Sequence, residues 1–194
     1  MTRACCNAIV HLNPYGQDAV RLAVALANNR PTTVADLVTR CAAAGLVIDM
    51  PVGDRDLTEA LELVDQWCRI VDAPDEVQRA ELVNGLLAAA SAYPRLTNHE
   101  GSGWHLHYRD DGVPLAAVLR ALVGVGTALH LAGRGMSRLG RCALADCATV
   151  YVDTSRGGRQ RYCSPGCANR DAVRRHRALH APNGHPGPRT GGLT

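Results

Sequence analysis

The stretch CALADCATVYVDTSRGGRQRYCSPGCANRDAVRRHRALH, residues 142–180, decides how this chain is read. It holds four of the chain's eight cysteines and seven arginines. The spacing is C-x4-C, then fifteen residues, then C-x3-C, with Cys142, Cys147, Cys163 and Cys167 as the paired thiols. Four thiolates bind zinc tetrahedrally when tight turns bring each pair of ligands together. Scattered core cysteines have no reason to pair at such spacings. A closed four-sulfur site leaves no open coordination position, so the ion expected is a single Zn2+ with a structural role. The finger-like layout places an iron–sulfur cluster second.

Between the pairs, Val150 and Val152 alternate with Thr149 and Tyr151, and Gly157-Gly158 supplies a turn. That pattern predicts a small β-hairpin between the second and third cysteines. Asp153, Thr154 and Ser155 are short polar residues suited to bonding their local backbone, with a phosphate contact from Thr154 or Ser155 as the alternative. After Cys163, Ser164 is a helix cap and Pro165 suits the first turn. Cys167 then lies where the helix dipole favours a thiolate. About 40 residues bury too little surface to fold by themselves. Zinc would supply the missing stability, on the order of 10–16 kcal/mol.

Positive charge follows the thiols at once. Arg170, Arg174 and Arg177 fall at i, i+4 and i+7 of the predicted helix and form one stripe, with Arg175 beside it; Arg156, Arg159 and Arg161 come from the predicted hairpin. Residues 134–194 carry 11 arginines against three aspartates and no glutamate, a net +8, whereas residues 1–133 carry a net −5. Such asymmetry points the basic part towards nucleic acid or a membrane surface. Arginine density on a small rigid module matches a phosphate backbone, where the guanidinium makes charge-assisted, often bidentate contacts. An exposed basic helix also enters the major groove and reads guanine edges. Two plainer readings compete: a solvated face, which usually mixes signs whereas here only Asp171 opposes the stripe, and arginines that dock the module onto acids of the N-terminal part. Arg170, next to the metal site, is the one expected to act structurally.

The rest of the chain reads as helical. The hydrophobic content is 46%, with no Phe, so the core must be built from Ala, Leu and Val. Residues 17–30 and 32–45 have helical apolar spacing, the second capped by Thr32 or Thr33 and stopped by Gly45. Leu57, Leu61, Val64 and Cys68 mark the apolar stripe of a third helix, and residues 74–93 form a fourth, opened by Pro74 and acids. Residues 103–112 alternate instead. Trp104, Leu106 and Tyr108 point inward and His105, His107 and Arg109 outward, which predicts a short half-buried strand ending in an Asp-Gly turn. Pro114 opens a long apolar helix to about Leu131, interrupted by Arg120 and His130, so it reads as a core helix and not a membrane span. Gly124 and Gly126 within it suit close helix packing. The N-terminal residues show no signal-peptide pattern. The class expected is therefore mainly α (α+β): a helical domain with a small β element over residues 1–135, a treble-clef-like zinc finger over 140–180, and a disordered Pro- and Gly-rich tail over 181–194.

The run from Cys142 to Arg170, with Val-Tyr-Val-Asp-Thr-Ser-Arg after the second cysteine and Cys167-Ala168-Asn169-Arg170 after the fourth, resembles the CGNR zinc finger. Ala168 replaces the usual Gly, which suits a helical position. That finger accompanies the ABATE domain, a bacterial family described as stress-induced transcription regulators. Residues 18–30 and 32–46 resemble the opening of that domain, with Asn28-Asn29 where Asn-Thr is usual. The resemblance implies DNA as a partner, an N-terminal domain able to form a homodimer or hold an unidentified small molecule, and a cytoplasmic location.

Enzyme signatures are weak. Residues 124–129, GVGTAL, lack the third Gly of a dinucleotide turn and continue a helix instead of following a strand. His105 and His107 make an H-x-H pair without a third ligand, and His99-Glu100 has no evident partner. Cys41 and Cys68 read as core residues, and Cys5-Cys6 lie near the N-terminus. The function expected is DNA-binding transcription regulation, not enzymatic. The alternatives are a zinc-dependent interaction scaffold with an acidic partner, or an enzyme with its site in the N-terminal domain.

Overall fold

A computed structural model describes residues 16–90, 92–97 and 105–180, with His105 described by its backbone alone. Cys5, Cys6, His99, Glu100, Trp104 and the tail 181–194 lie outside the described residues. The elements run α1 (Gln17–Asn28), α2 (Val34–Ala43), α3 (Asp54–Val71), α4 (Glu76–Ala90), β1 (Arg95–Thr97), β2 (His105–His107), α5 (Leu115–Arg134), β3 (Leu139–Arg141), β4 (Val150–Val152) and α6 (Pro165–Leu179). The described residues are thus mainly helical, with two small antiparallel strand pairs.

The long apolar helix α5 is the centre of the N-terminal part, and α1, α3 and α4 pack around it. By length and composition it is able to span a membrane, but Leu115, Leu119, Val123 and Leu131 are buried in the shared core. The glycines inside it permit a close crossing. A Cβ on Gly126 would fall 2.4 Å from the Ala19 Cβ of α1, and one on Gly16 would fall 2.2 Å from the Gly126 carbonyl oxygen. Gly16 also has φ +63°, which disfavours any other residue there.

Caps fix the helix starts. The Thr33 hydroxyl accepts from the Asp36 amide at 3.1 Å, and Gly45, with φ +83°, ends α2. The buried carboxylate of Asp56 serves two helices: it accepts from the Gly53 amide at 3.0 Å and from the Ala116 amide at 3.0 Å, joining the starts of α3 and α5.

Two sequence expectations shift. The buried face of α3 is Ala60, Leu63, Val64, Trp67, Ile70 and Val71, while Leu57, Leu61 and Cys68 are only partly buried. The orientation follows the largest side chain: Trp67 is 1% exposed, and its indole donates to the Thr127 hydroxyl at 3.0 Å inside the core. The strand β2 pairs with β1, with Leu96 opposite Leu106, and its Leu106 is exposed instead of inward. His107 turns partly inward, 3.7 Å from Asp111 Oδ1. No metal-ligand cluster forms around it among the described residues.

The second strand pair belongs to the C-terminal part. β3 lies before Cys142, and β4 pairs with it in the register Leu139–Val152, Gly140–Tyr151, Arg141–Val150. The hairpin therefore encloses the first cysteine pair and does not lie between the pairs; residues 153–162 return as a loop. The reason is polar. The carboxylate of Asp153, 1% exposed, accepts from the Ser155 amide at 2.8 Å, the Ser155 hydroxyl at 2.5 Å and the Gln160 amide at 3.0 Å, which curls the chain where a strand would leave these groups unbonded.

Candidate metal centre and basic surface

Each cysteine pair is held by local backbone geometry. The Cys147 amide donates to the Leu144 carbonyl at 2.9 Å, closing the turn that carries Cys142 and Cys147. Ser164 caps α6, accepting from the Cys167 amide at 3.2 Å, and Pro165 opens that helix. The Ala143 amide donates to the Arg161 carbonyl at 2.8 Å and draws the two pairs together. Leu144, 1% exposed, packs with Cys142 and Cys167 in a small cluster separate from the main core.

The four sulfurs all lie within 4.8 Å of one another. Cys163 and Cys167 are 3.5 Å apart, Cys147 and Cys163 3.7 Å, and Cys147 and Cys167 3.9 Å. A tetrahedron of sulfurs about 2.3 Å from zinc has edges of about 3.8 Å, so the donor set fits that ion. The surroundings favour thiolates at two of the four. The Ser164 hydroxyl, then the Arg170 guanidinium 3.1 Å from its Sγ, pull Cys167 down to about 6. The Thr149 hydroxyl, 3.3 Å from Sγ, lowers Cys147. Cys163 is pushed up to about 12 by burial and by its sulfur neighbours, as expected where several negative sulfurs would crowd without a cation. Cys41 and Cys68 lie away from this group on α2 and α3, and burial raises both thiols.

The metal module is joined to the helical part by directed bonds. The Asn28 side-chain amide donates to the Val150 carbonyl at 2.9 Å and accepts from the Val150 amide at 2.9 Å. Arg141 grips Asp72 with two nitrogens, at 2.6 and 2.8 Å. Leu139 and Val150 are buried in the main core. Arg138 lies under the loop, bonding the Ser155 carbonyl at 2.7 Å and standing 3.6 Å from Asp153 Oδ1. Burial works against the Asp153 charge, but bonds from Ser155 and Gln160 and the nearby Arg138 hold its carboxyl below the usual range. Gly158 has φ +62°, which favours glycine there, and a Cβ on it would fall 2.6 Å from the Arg138 guanidinium carbon and push that side chain aside.

The sequence-predicted basic residues divide into two groups. Arg170 bonds Cys167, Arg174 bonds Asp146 through both terminal nitrogens at 2.9 Å each, and Arg175 pairs with Asp171 at 3.0 Å. Asp171 also accepts from the Tyr162 hydroxyl at 2.6 Å, and with Asp146 it makes two acids on this surface where the sequence suggests one. Both carboxyls are held low, by Arg174 and by Tyr162 respectively. Arg156, Arg159, Arg161 and Arg177 are exposed, and no carboxylate lies within ion-pair distance of them among the described residues. α6 buries only Cys167 and leaves Val173 and Leu179 exposed. Sequence reading gives no role to Arg138 and Asp146, which only their polarity signals, and notes Asn28 only as part of the pair where the ABATE domain usually has Asn-Thr.

Fold and site together define a class: a helical domain carrying a four-cysteine, treble-clef-like finger. The family profile described as "CGNR zinc finger" matches residues 138–180. The ABATE profile, described as "Putative stress-induced transcription regulator", matches residues 20–158. The chain belongs to the ABATE family and carries a CGNR zinc finger in its C-terminal part. No curated protein matches it.

Proposed function

We propose that the protein is a cytoplasmic DNA-binding transcription regulator, and not an enzyme, whose finger holds one structural Zn2+ on Cys142, Cys147, Cys163 and Cys167. The observation that carries this reading is the exposed basic surface on the helix and loop that carry the converging cysteines. Arg156, Arg159 and Arg177 have no ion-pair partner among the described residues, Arg161 feels Asp171 only beyond ion-pair distance, and α6 is exposed along nearly its whole length. Unopposed guanidiniums on a rigid support suit phosphate contact, because little ordering is needed when the anion arrives. Arg170, Arg174 and Arg175 complete the proposed surface while holding local partners.

The units we assign are a helical domain over 1–135 and the finger over 140–180. One small module gives limited affinity, so a homodimer through the helical domain would add a second half-site. For a small-molecule ligand, the groove between α3, α4 and α5 offers about 270 Å³, with Ile70, Leu82 and Leu86 lining it and Gln66, Arg69 and Arg120 contributing polar groups.

The test is selection of bound sequences from random DNA by the zinc-loaded protein, followed by affinity against salt. Affinity should fall with log salt at about 0.9 per phosphate neutralised. A flat salt response, or tighter salt-sensitive binding to an acidic protein, would defeat the assignment. Metal analysis should give about one zinc per chain.

A further inference from the structure

Of the three arginines spaced along one face of α6, only Arg174 is held by a carboxylate. Asp146 meets it from the turn between Cys142 and Cys147, each carboxylate oxygen accepting from one terminal nitrogen at 2.9 Å. This is not a pair within one helical turn. Asp146 precedes the ligand Cys147 and Arg174 rides on the helix of Cys167, so both ends are carried by the metal scaffold. A guanidinium offers a phosphate the same two-pronged face that it offers a carboxylate. With that face taken, an approaching backbone phosphate must displace Asp146 or use the remaining edge. Arg177, one turn further along and also exposed, has no such competitor within ion-pair distance among the described residues.

We propose that Asp146 is a specificity-determining residue: its carboxylate occupies the fork of Arg174, withholds that arginine from indiscriminate phosphate contact, and yields it only where a better-placed acceptor on the target DNA displaces the acid. The proposal rests on the DNA-binding reading above. Two arginines of the same type on one helix face then have different roles. Arg177 contributes to any DNA, and Arg174 contributes to the right DNA.

The experiment measures binding of the full, zinc-loaded chain to mixed-sequence duplex and to a selected target across a salt series. Asp146→Asn should tighten mixed-sequence binding by about two- to fivefold at low salt, the range reached on releasing an exposed ion pair. It should steepen the salt slope by about 0.9, one further phosphate, and narrow the ratio of target to mixed affinity. Asp49→Asn, an exposed site with the same charge change, should leave the slope as it is. Arg174→Gln should cost the natural chain clearly less mixed-sequence slope than Arg177→Gln and should remove the added 0.9 in the Asp146→Asn background, whereas Arg177→Gln should cost about 0.9 in both. Mixed-sequence binding by Asp146→Asn that matches or falls below the natural chain overturns the proposal. So does an Arg174→Gln loss equal to that of Arg177→Gln, a comparison that stands even where Asp146→Asn fails to keep its zinc. A natural chain without salt-dependent DNA binding defeats the parent reading, and this inference with it.

Discussion

The helical part and the finger keep their shape by different physics. In the first, Leu26, Leu37, Leu63, Ile70, Leu115 and Leu119 are all at most 2% exposed, packed around one central helix. In the second, the small cluster of Cys142, Leu144 and Cys167 is too slight to hold a fold. Order there comes from four converging sulfurs and from charged side chains that each bind several backbone groups: Asp153 organises the loop, and Arg138 supports it from beneath. The contrast teaches that one chain can spend its apolar residues in one place and its polar precision in another, leaving the second surface free to remain charged.

The comparison breaks most severely at the metal. Cys163→Ser should lose the ion and unfold residues 140–180, a change on the order of 10–16 kcal/mol for that module, while helical signal from α1 to α5 persists. Metal analysis with circular dichroism checks this, and retained zinc would contradict the ligand set. Next comes the apolar centre. Leu119→Ala, at a site with no exposure, should cost towards the upper end of about 2–5 kcal/mol in chemical denaturation and leave metal content intact. Asp153→Asn should then cost about 3 kcal/mol, because Arg138 loses its buried counter-charge. Amide exchange should quicken at Ser155 and Gln160 with zinc still bound. Smallest of the four, Asn28→Ala should cost about 1–2 kcal/mol from two bonds to Val150. If the two regions are coupled through that amide, exchange at Val150 will rise while exchange in α5 does not.

Local signals in the sequence were read well and tertiary ones were not. The cysteine spacing, the Ser164-Pro165 start of α6 and the Gly45 stop each depend on residues a few positions apart, and each stands as expected in the structure. The expected stripe on α3 lies to one side of the buried face: Val64 is in the core and Leu57 and Cys68 pack against it, because these positions fit the helical period as well as Leu63, Trp67 and Ile70 do. Only the meeting of Trp67 with Thr127, 60 residues away, breaks the tie. The hairpin was misplaced because Val150-Tyr151-Val152 signals a strand without saying which neighbour it takes; its partner precedes Cys142. Asp146 and Arg174 stand 28 positions apart, and Asn28 and Val150 stand 122 apart. No periodicity registers such pairs.

Asn28 pairs both hydrogen-bonding groups of its side-chain amide with the N–H and C=O of one residue of β4, Val150, as a neighbouring strand would. The finger thus borrows one residue's width of sheet from a helix near the other end of the chain. A fragment cut shortly before Leu139 would bare those two backbone groups of Val150 together with the apolar faces of Leu139 and Val150. Such an open edge invites pairing with its own kind, so an excised finger should tend to self-associate even when fully loaded with metal.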